Sequence, residues 1–212
     1  MMILMVEIKE MPYDEKYSSM LSYLKLLDDN VLSLVEKELG AQKVAELGTI
    51  WQNGTQTIRE DATYEEKFNI AYGNWVRKYA SAFNFVSDNL GENGVEKFKD
   101  TSVEAMKRKN SSPALYLLKL MRAVSPKTAF RTFAKQMSYQ LQVITPLSVS
   151  ELSGNRLVAH TSHCKVLDYA DCEVCCTVSC QNVTARWLED QFKLKMTTNR
   201  QGKSCTVTID RE

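Results

Sequence analysis

The sequence predicts an α+β fold: a helical N-terminal region, then a four-stranded antiparallel sheet in the order strand, strand, helix, strand, strand, covered by helices on one face. Three observations predict it. Apolar residues recur at three- and four-residue steps from Asp14 to about Lys109. The period becomes two after Pro146, and a second extended pair closes the chain after one more helical run. Residues 1–110 therefore read as the helical region and 111–212 as the α+β part.

The first helical stretch, MLSYLKLLDDNVLSLVEKEL, places Leu21, Leu24, Leu27, Val31, Leu34 and Val35 in one stripe. A second run from Gly40 to Trp51 ends at the turn signal Asn53-Gly54. The third, Tyr64 to Leu90, carries Phe68, Tyr72, Trp75, Tyr79, Phe83 and Val86 on one side; Asp61 or Thr63 can cap it, and Glu65 and Glu66 suit its first turn. These aromatics read as a core stripe rather than a ligand cage. Glu65-Glu66 and Asp28-Asp29 read as solvated or dipole-complementing charges. Leu34-Val35, Leu39-Gly40 and Val44 match Phe85-Val86, Leu90-Gly91 and Val95 at an offset of 51 residues. That is either a duplicated helical hairpin or two glycine-ended helices built alike.

KRKNSSP, residues 107 to 113, reads as a boundary, with the KRK run a solvated helix end. Helices follow from Pro113 to Ala123 and from Pro126 to about Gln142, the second with Ala129, Phe130, Phe133, Met137 and Leu141. Leu147 to Glu151 and Leu157 to Cys164 form a hairpin about Ser153-Gly154-Asn155. CCTVSCQNVTARWLEDQF reads as a helix burying Val178, Val183, Trp187, Leu188 and Phe192. Lys193 to Thr198 and Ser204 to Asp210 are the last strands, joined by residues 199–202.

Composition narrows the function classes. A net charge of +1 supplies no field to attract nucleic acid or an anionic membrane. No apolar run approaches the roughly 20 residues that span a bilayer. MMILMV is too short for a signal-peptide core, so a cytoplasmic location is expected, where cysteines stay reduced. There is no phosphate-binding glycine loop or dinucleotide fingerprint.

The chemistry-bearing residues crowd into HTSHCKVLDYADCEVCCTVSC, residues 160 to 180, with both histidines and five of the six cysteines. With a helix starting near Asp171, Cys172, Cys176 and Cys180 share a face and Cys175 diverges from it. On the preceding strand His160, Ser162 and Cys164 share one side, and His163 takes the other. Thiolate with imidazole suits zinc, and four thiolates suit zinc or an iron–sulfur cluster. Cys175, Cys176 and Cys180 are equally readable as small buried hydrophobes. A nucleophilic pair is the further option, because an imidazole such as His163 beside a thiol such as Cys176 at a helix N-terminus favours thiolate.

Two hairpins flanking a cysteine-led helix, ending in Gly202-Lys203-Ser204-Cys205-Thr206-Val207-Thr208-Ile209, resemble the 4-vinyl reductase domain superfamily over roughly residues 112 to 212. That group includes TRAPP trafficking subunits and L-2-amino-thiazoline-4-carboxylic acid hydrolase-like proteins. The latter are nearest, because Cys164 ends the second strand, Cys176 opens the helix and Cys205 follows a glycine into the last strand. Thr177 stands where trafficking members carry glycine after the helix cysteine. The resemblance implies an apolar cavity between helices and sheet, a small-molecule ligand, and hydrolysis of a small sulfur-containing ring. It also implies, as the alternative, a scaffold that homodimerises through its helices. The corresponding metal set is Cys164, Cys176 and Cys205 with His160 or His163, and Cys172 in reserve.

Overall fold

In the computed structural model, which describes residues 8–109, 113–170 and 174–211, the helical periodicity of the N-terminal half becomes α1 (Tyr13–Leu39), α2 (Ala41–Gly54) and α3 (Tyr64–Lys109). The α1 stripe is buried at Leu27, Val31, Leu34 and Val35, whereas Leu21 is exposed and Met20 occupies the interior instead. Thr63 is the cap of α3: its hydroxyl accepts from Glu66 N at 3.3 Å, and Glu66 accepts from Thr63 N at 2.8 Å, a reciprocal capping box. The third helix runs beyond Leu90. Gly91 breaks it with φ 62° and ψ −150°, and helix resumes to Lys109. Gly40, with φ 86°, makes the corresponding break between α1 and α2. Both breaks need a positive φ that a side chain resists, which accounts for the matched glycines.

The second half supplies α4 (Pro113–Val124), α5 (Pro126–Leu141), β1 (Ser148–Leu152), β2 (Arg156–Thr161), α6 (Ala185–Phe192), β3 (Leu194–Gln201) and β4 (Ser204–Arg211). The strands form one antiparallel sheet in the order β1-β2-β4-β3, so the two hairpins meet where β2 pairs with β4. Strand β3 extends three residues past the expected Thr198 and pairs Gln201 with Ser204. The turn is Gly202-Lys203 alone, with positive φ only at Gly202, the geometry of a type II′ hairpin.

One stretch departs from simple periodicity. Val174–Thr184 is π-helical and runs directly into α6. Its widened turns are bridged by side chains reaching five residues back: Asn182 Nδ2 donates to Thr177 O at 2.6 Å, and Thr184 Oγ1 to Ser179 O at 2.9 Å. π-Helical turns are rare and gather at functional sites. The expected helix start near Asp171 lies outside the described residues.

Two apolar cores result. One joins α1, α2 and α3 to Val143, Val166, Val178 and Val183, so it crosses the division expected near residue 110. The other packs Phe130, Phe133 and Met137 of α5, and Trp187, Leu188 and Phe192 of α6, on Val149, Leu157, Ala159, Leu194 and Ile209 of the sheet. Phe133 and Phe192 lie tilted against each other with ring centres 4.5 Å apart, and Trp187 meets Phe192 edge-on at 5.4 Å. Among the described residues no helix is long and apolar enough to cross a membrane.

Candidate functional site

The end of the sheet gathers three of the cysteines. The alternation of β2 stops at Thr161, and the chain bends, so Cys164 no longer continues a strand side with His160 and Ser162. Cys164 N instead donates to Lys203 O at 2.7 Å, tying the bend to the β3–β4 turn. Cys205 sits at the start of β4, opposite Thr161 on one side and Arg200 on the other. Cys176 lies in the π-helical stretch, and Arg200 Nη1 donates to its sulfur at 3.8 Å. The three thiols are close enough to influence one another electrostatically, with Arg200 as the cation among them.

The histidines are employed elsewhere. His160 faces the outer side of the sheet, since its neighbours Ala159 and Thr161 point into the interior. Its Nδ1 pairs with Thr206 Oγ1 and its Nε2 with Ser150 Oγ, each at 2.9 Å. His163 Nε2 pairs with the Asp168 carboxylate at 2.7 Å, and Lys203 Nζ donates to the same carboxylate at 3.3 Å. Burial works against that charge, but His163 and Lys203 more than offset it and hold the Asp168 carboxyl low.

Among the described residues no group of three or more His, Cys, Asp or Glu is arranged to hold a metal ion. Of the donors expected for zinc or an iron–sulfur cluster, Cys172 and the side chain of Cys175 lie outside the described residues. Cys164, Cys176, Cys180 and Cys205 are not disulfide-bonded. Burial pushes the Cys164 thiol up; Cys176 adds to this, while backbone N–H groups and Arg200 oppose it. Burial, then Cys176 and Cys164, push Cys205 up in the same way. Both stay protonated at neutral pH, the opposite of an activated nucleophile.

A large concavity lies elsewhere. A cavity of about 700 Å³ is walled by α1, α3, α4, α5, the π-helical stretch and α6. No strand lines it: α5 and α6 lie between the cavity and the sheet, filling the place where a helix–sheet cavity was expected. Leu27, Val31, Leu34, Trp75, Tyr79, Phe98, Ala105, Val183 and Trp187 are its buried apolar wall, and half-buried Cys180 lines it too. The aromatic stripe divides, since Trp75 and Tyr79 face the cavity while Tyr72 is buried in the core and donates to Ile144 O at 2.6 Å. Thr132, Gln136 and Gln140 form an exposed polar rim.

Lys109 is the exception in this wall. The KRK run is solvated only in part, since Arg108 is exposed and Lys107 half-buried. Lys107 pairs with Glu104 at 2.8 Å and Asp190 at 3.2 Å, and Arg108 donates to Asn30 Oδ1. Lys109 turns inward over the Tyr23 ring, and its Nζ has no solvent contact and no hydrogen-bond partner among the described residues. Burial alone pulls its pKa down to about 8. Reading positions 98, 102, 105 and 109 as one helical face would have exposed this placement, because Lys109 continues the buried stripe of Phe98 and Ala105.

No family model matches the chain, and no curated protein does. Among solved structures, the crystal structure of an Fe(II) unliganded H-NOX protein mutant from K. algicida aligns with 88% of this chain and 95% of that chain, at 11% identity and a TM-score of 0.39. So loose a likeness bears on neither fold nor ligand.

Proposed function

We propose that this chain is a small-molecule-binding protein of the 4-vinyl reductase-like group, whose ligand occupies the helical cavity rather than the cysteine corner. The carrying observation is the cavity itself. It offers about 700 Å³ that opens to solvent past Thr132, Gln136 and Gln140, behind which the wall is apolar. Walls of Leu, Val, Phe and Trp hold water poorly, so an apolar ligand that displaces that water gains by burial. The volume falls within the range of pockets that enclose one drug-sized molecule.

Thiol-dependent hydrolysis of a small sulfur-containing ring has weaker support. Its expected pair is Cys176 as nucleophile with His163 as base, yet His163 Nε2 is paired with the Asp168 carboxylate and the Cys176 sulfur accepts from Arg200 Nη1.

The test is titration of the full chain with 1-aminoanthracene, a neutral apolar fluorophore. Saturable enhancement is expected, with affinity at least about tenfold lower in Ala105→Phe, which fills the wall away from the cysteine corner at the end of the sheet. Enhancement unaffected by Ala105→Phe contradicts the cavity reading.

A scaffold that dimerises through its helices is the second reading, favoured by α4, where Leu117, Leu120 and Val124 are 58%, 51% and 88% exposed. Light scattering on the parent and on Leu120→Glu tests it: a dimer that the charge dissociates supports pairing, and a monomer at all concentrations rejects it.

A further inference from the structure

From the buried, unpaired ammonium of Lys109 on the cavity wall, we infer that the ligand is an apolar monocarboxylic acid whose carboxylate pairs with Lys109 while its hydrocarbon body lies against Trp75, Tyr79 and Phe98. This inference rests on the reading of the cavity as the ligand site and names the chemistry of its occupant.

Three observations carry it. The Lys109 Nζ is out of solvent and has no hydrogen-bond partner among the described residues, so the site holds one cation with its donors unused. A buried charge without a partner is costly, and native chains avoid it unless it serves binding or chemistry. The two neighbouring cations are already engaged, Lys107 by Glu104 and Asp190, and Arg108 by Asn30. Lys109 therefore faces the cavity alone.

The charge count selects the head group. One ammonium neutralises one monoanion. A phosphate, carrying close to two charges, would leave a net charge against apolar walls, and phosphate sites commonly present several donors. The wall beyond Lys109 is apolar and aromatic, suited to an acyl chain or fused rings. The Tyr23 ring beneath the ammonium adds cation–π attraction that holds the amine at the cavity edge while its outer donors stay available. Desolvation that lowers the Lys109 pKa acts in the same direction: an incoming carboxylate restores the charge that burial disfavours.

The experiment compares 11-(dansylamino)undecanoic acid with its methyl ester on the full chain at pH 7, by fluorescence titration. The pair differs only in the charged head. The parent is expected to bind the acid roughly tenfold or more tightly than the ester, as for a buried charge pair. Lys109→Met should abolish that preference while changing ester affinity by no more than about twofold; Lys109→Arg should keep it, and Lys109→Gln guards against a folding defect specific to methionine. Equal binding of acid and ester by the parent overturns the inference and leaves the cavity reading standing. A preference that survives in both Lys109→Met and Lys109→Gln also overturns it. If neither probe binds, or if Ala105→Phe binds both as the parent does, the cavity reading itself fails, and this inference with it.

Discussion

The cysteine corner and the helical cavity differ in how they are assembled. The corner draws on residues close in sequence, apart from Cys205 and Arg200, and its polar groups are largely engaged: His163 with Asp168, His160 with Thr206 and Ser150, and Arg200 with Cys176. The cavity draws on residues from Tyr23 to Trp187, and it keeps one ammonium buried without a hydrogen-bond partner among the described residues. Clustering along the chain thus marks the region whose electrostatics are already satisfied. The unmet charge sits where residues far apart in sequence converge, and unmet charge is the better pointer to a ligand.

The largest expected effect tests whether the two regions share a wall. Trp187 lines the cavity and also packs in the sheet core. Trp187→Ala should cost about 3–5 kcal/mol in urea unfolding; a loss under about 1 kcal/mol would separate cavity from core.

The next sharpens the contrast in charge. Lys109→Met should stabilise the chain by about 1–3 kcal/mol at pH 7, because it removes an unpaired buried ammonium. The gain should shrink with rising pH. Folded Lys109 releases its proton at about 8, against 10.5 in the unfolded chain. Between those values the unfolded state binds more protons, so the parent gains stability relative to the variant. A pH-independent gain from denaturation at pH 7 and pH 10 would place the ammonium in solvent.

The thiols should show the opposite sign. Cys164 and Cys205 are raised above 9.0, the ordinary thiol value, so above pH 9 the folded state retains protons the unfolded state has lost. Stability from these groups is full below pH 9 and falls as pH rises through the folded values, and a Cys164→Ser, Cys205→Ser variant should lack that part of the decline. The smallest effect belongs to Arg200→Ala. Removing the cation should slow iodoacetamide alkylation of Cys164 and Cys205 by about two- to fivefold, by raising both thiols further. Faster alkylation would mean that Arg200 shields the sulfurs instead of favouring their charge.

The fold was legible where burial follows a period. The four strands, the burial of Trp187 and the helices from Pro113 and Pro126 all rest on patterns of two or of three and four residues. The site was less legible for three physical reasons. Strand alternation ends at Thr161, so His160 and Cys164 part company at a bend that no pattern marks. The π-helical stretch from Val174 to Thr184 has a wider turn than the α-helix, so faces reckoned for Cys176 and Cys180 at α-helical spacing shift: Cys176 meets Arg200 while Cys180 meets the cavity. Lys109 looked like one charge in a solvated run because composition, unlike the spacing back to Phe98, does not report which side chain turns inward.

Methyl-resolved NMR of the full chain with 1-aminoanthracene bears most directly on the central claim. Saturable shifts are expected in the methyl groups of Leu27, Val31, Leu34 and Val183 on the cavity wall, with Val158 and Val207 of the sheet unmoved. Shifts confined to the sheet and the residues about Cys205, with the cavity methyls unchanged, would contradict it.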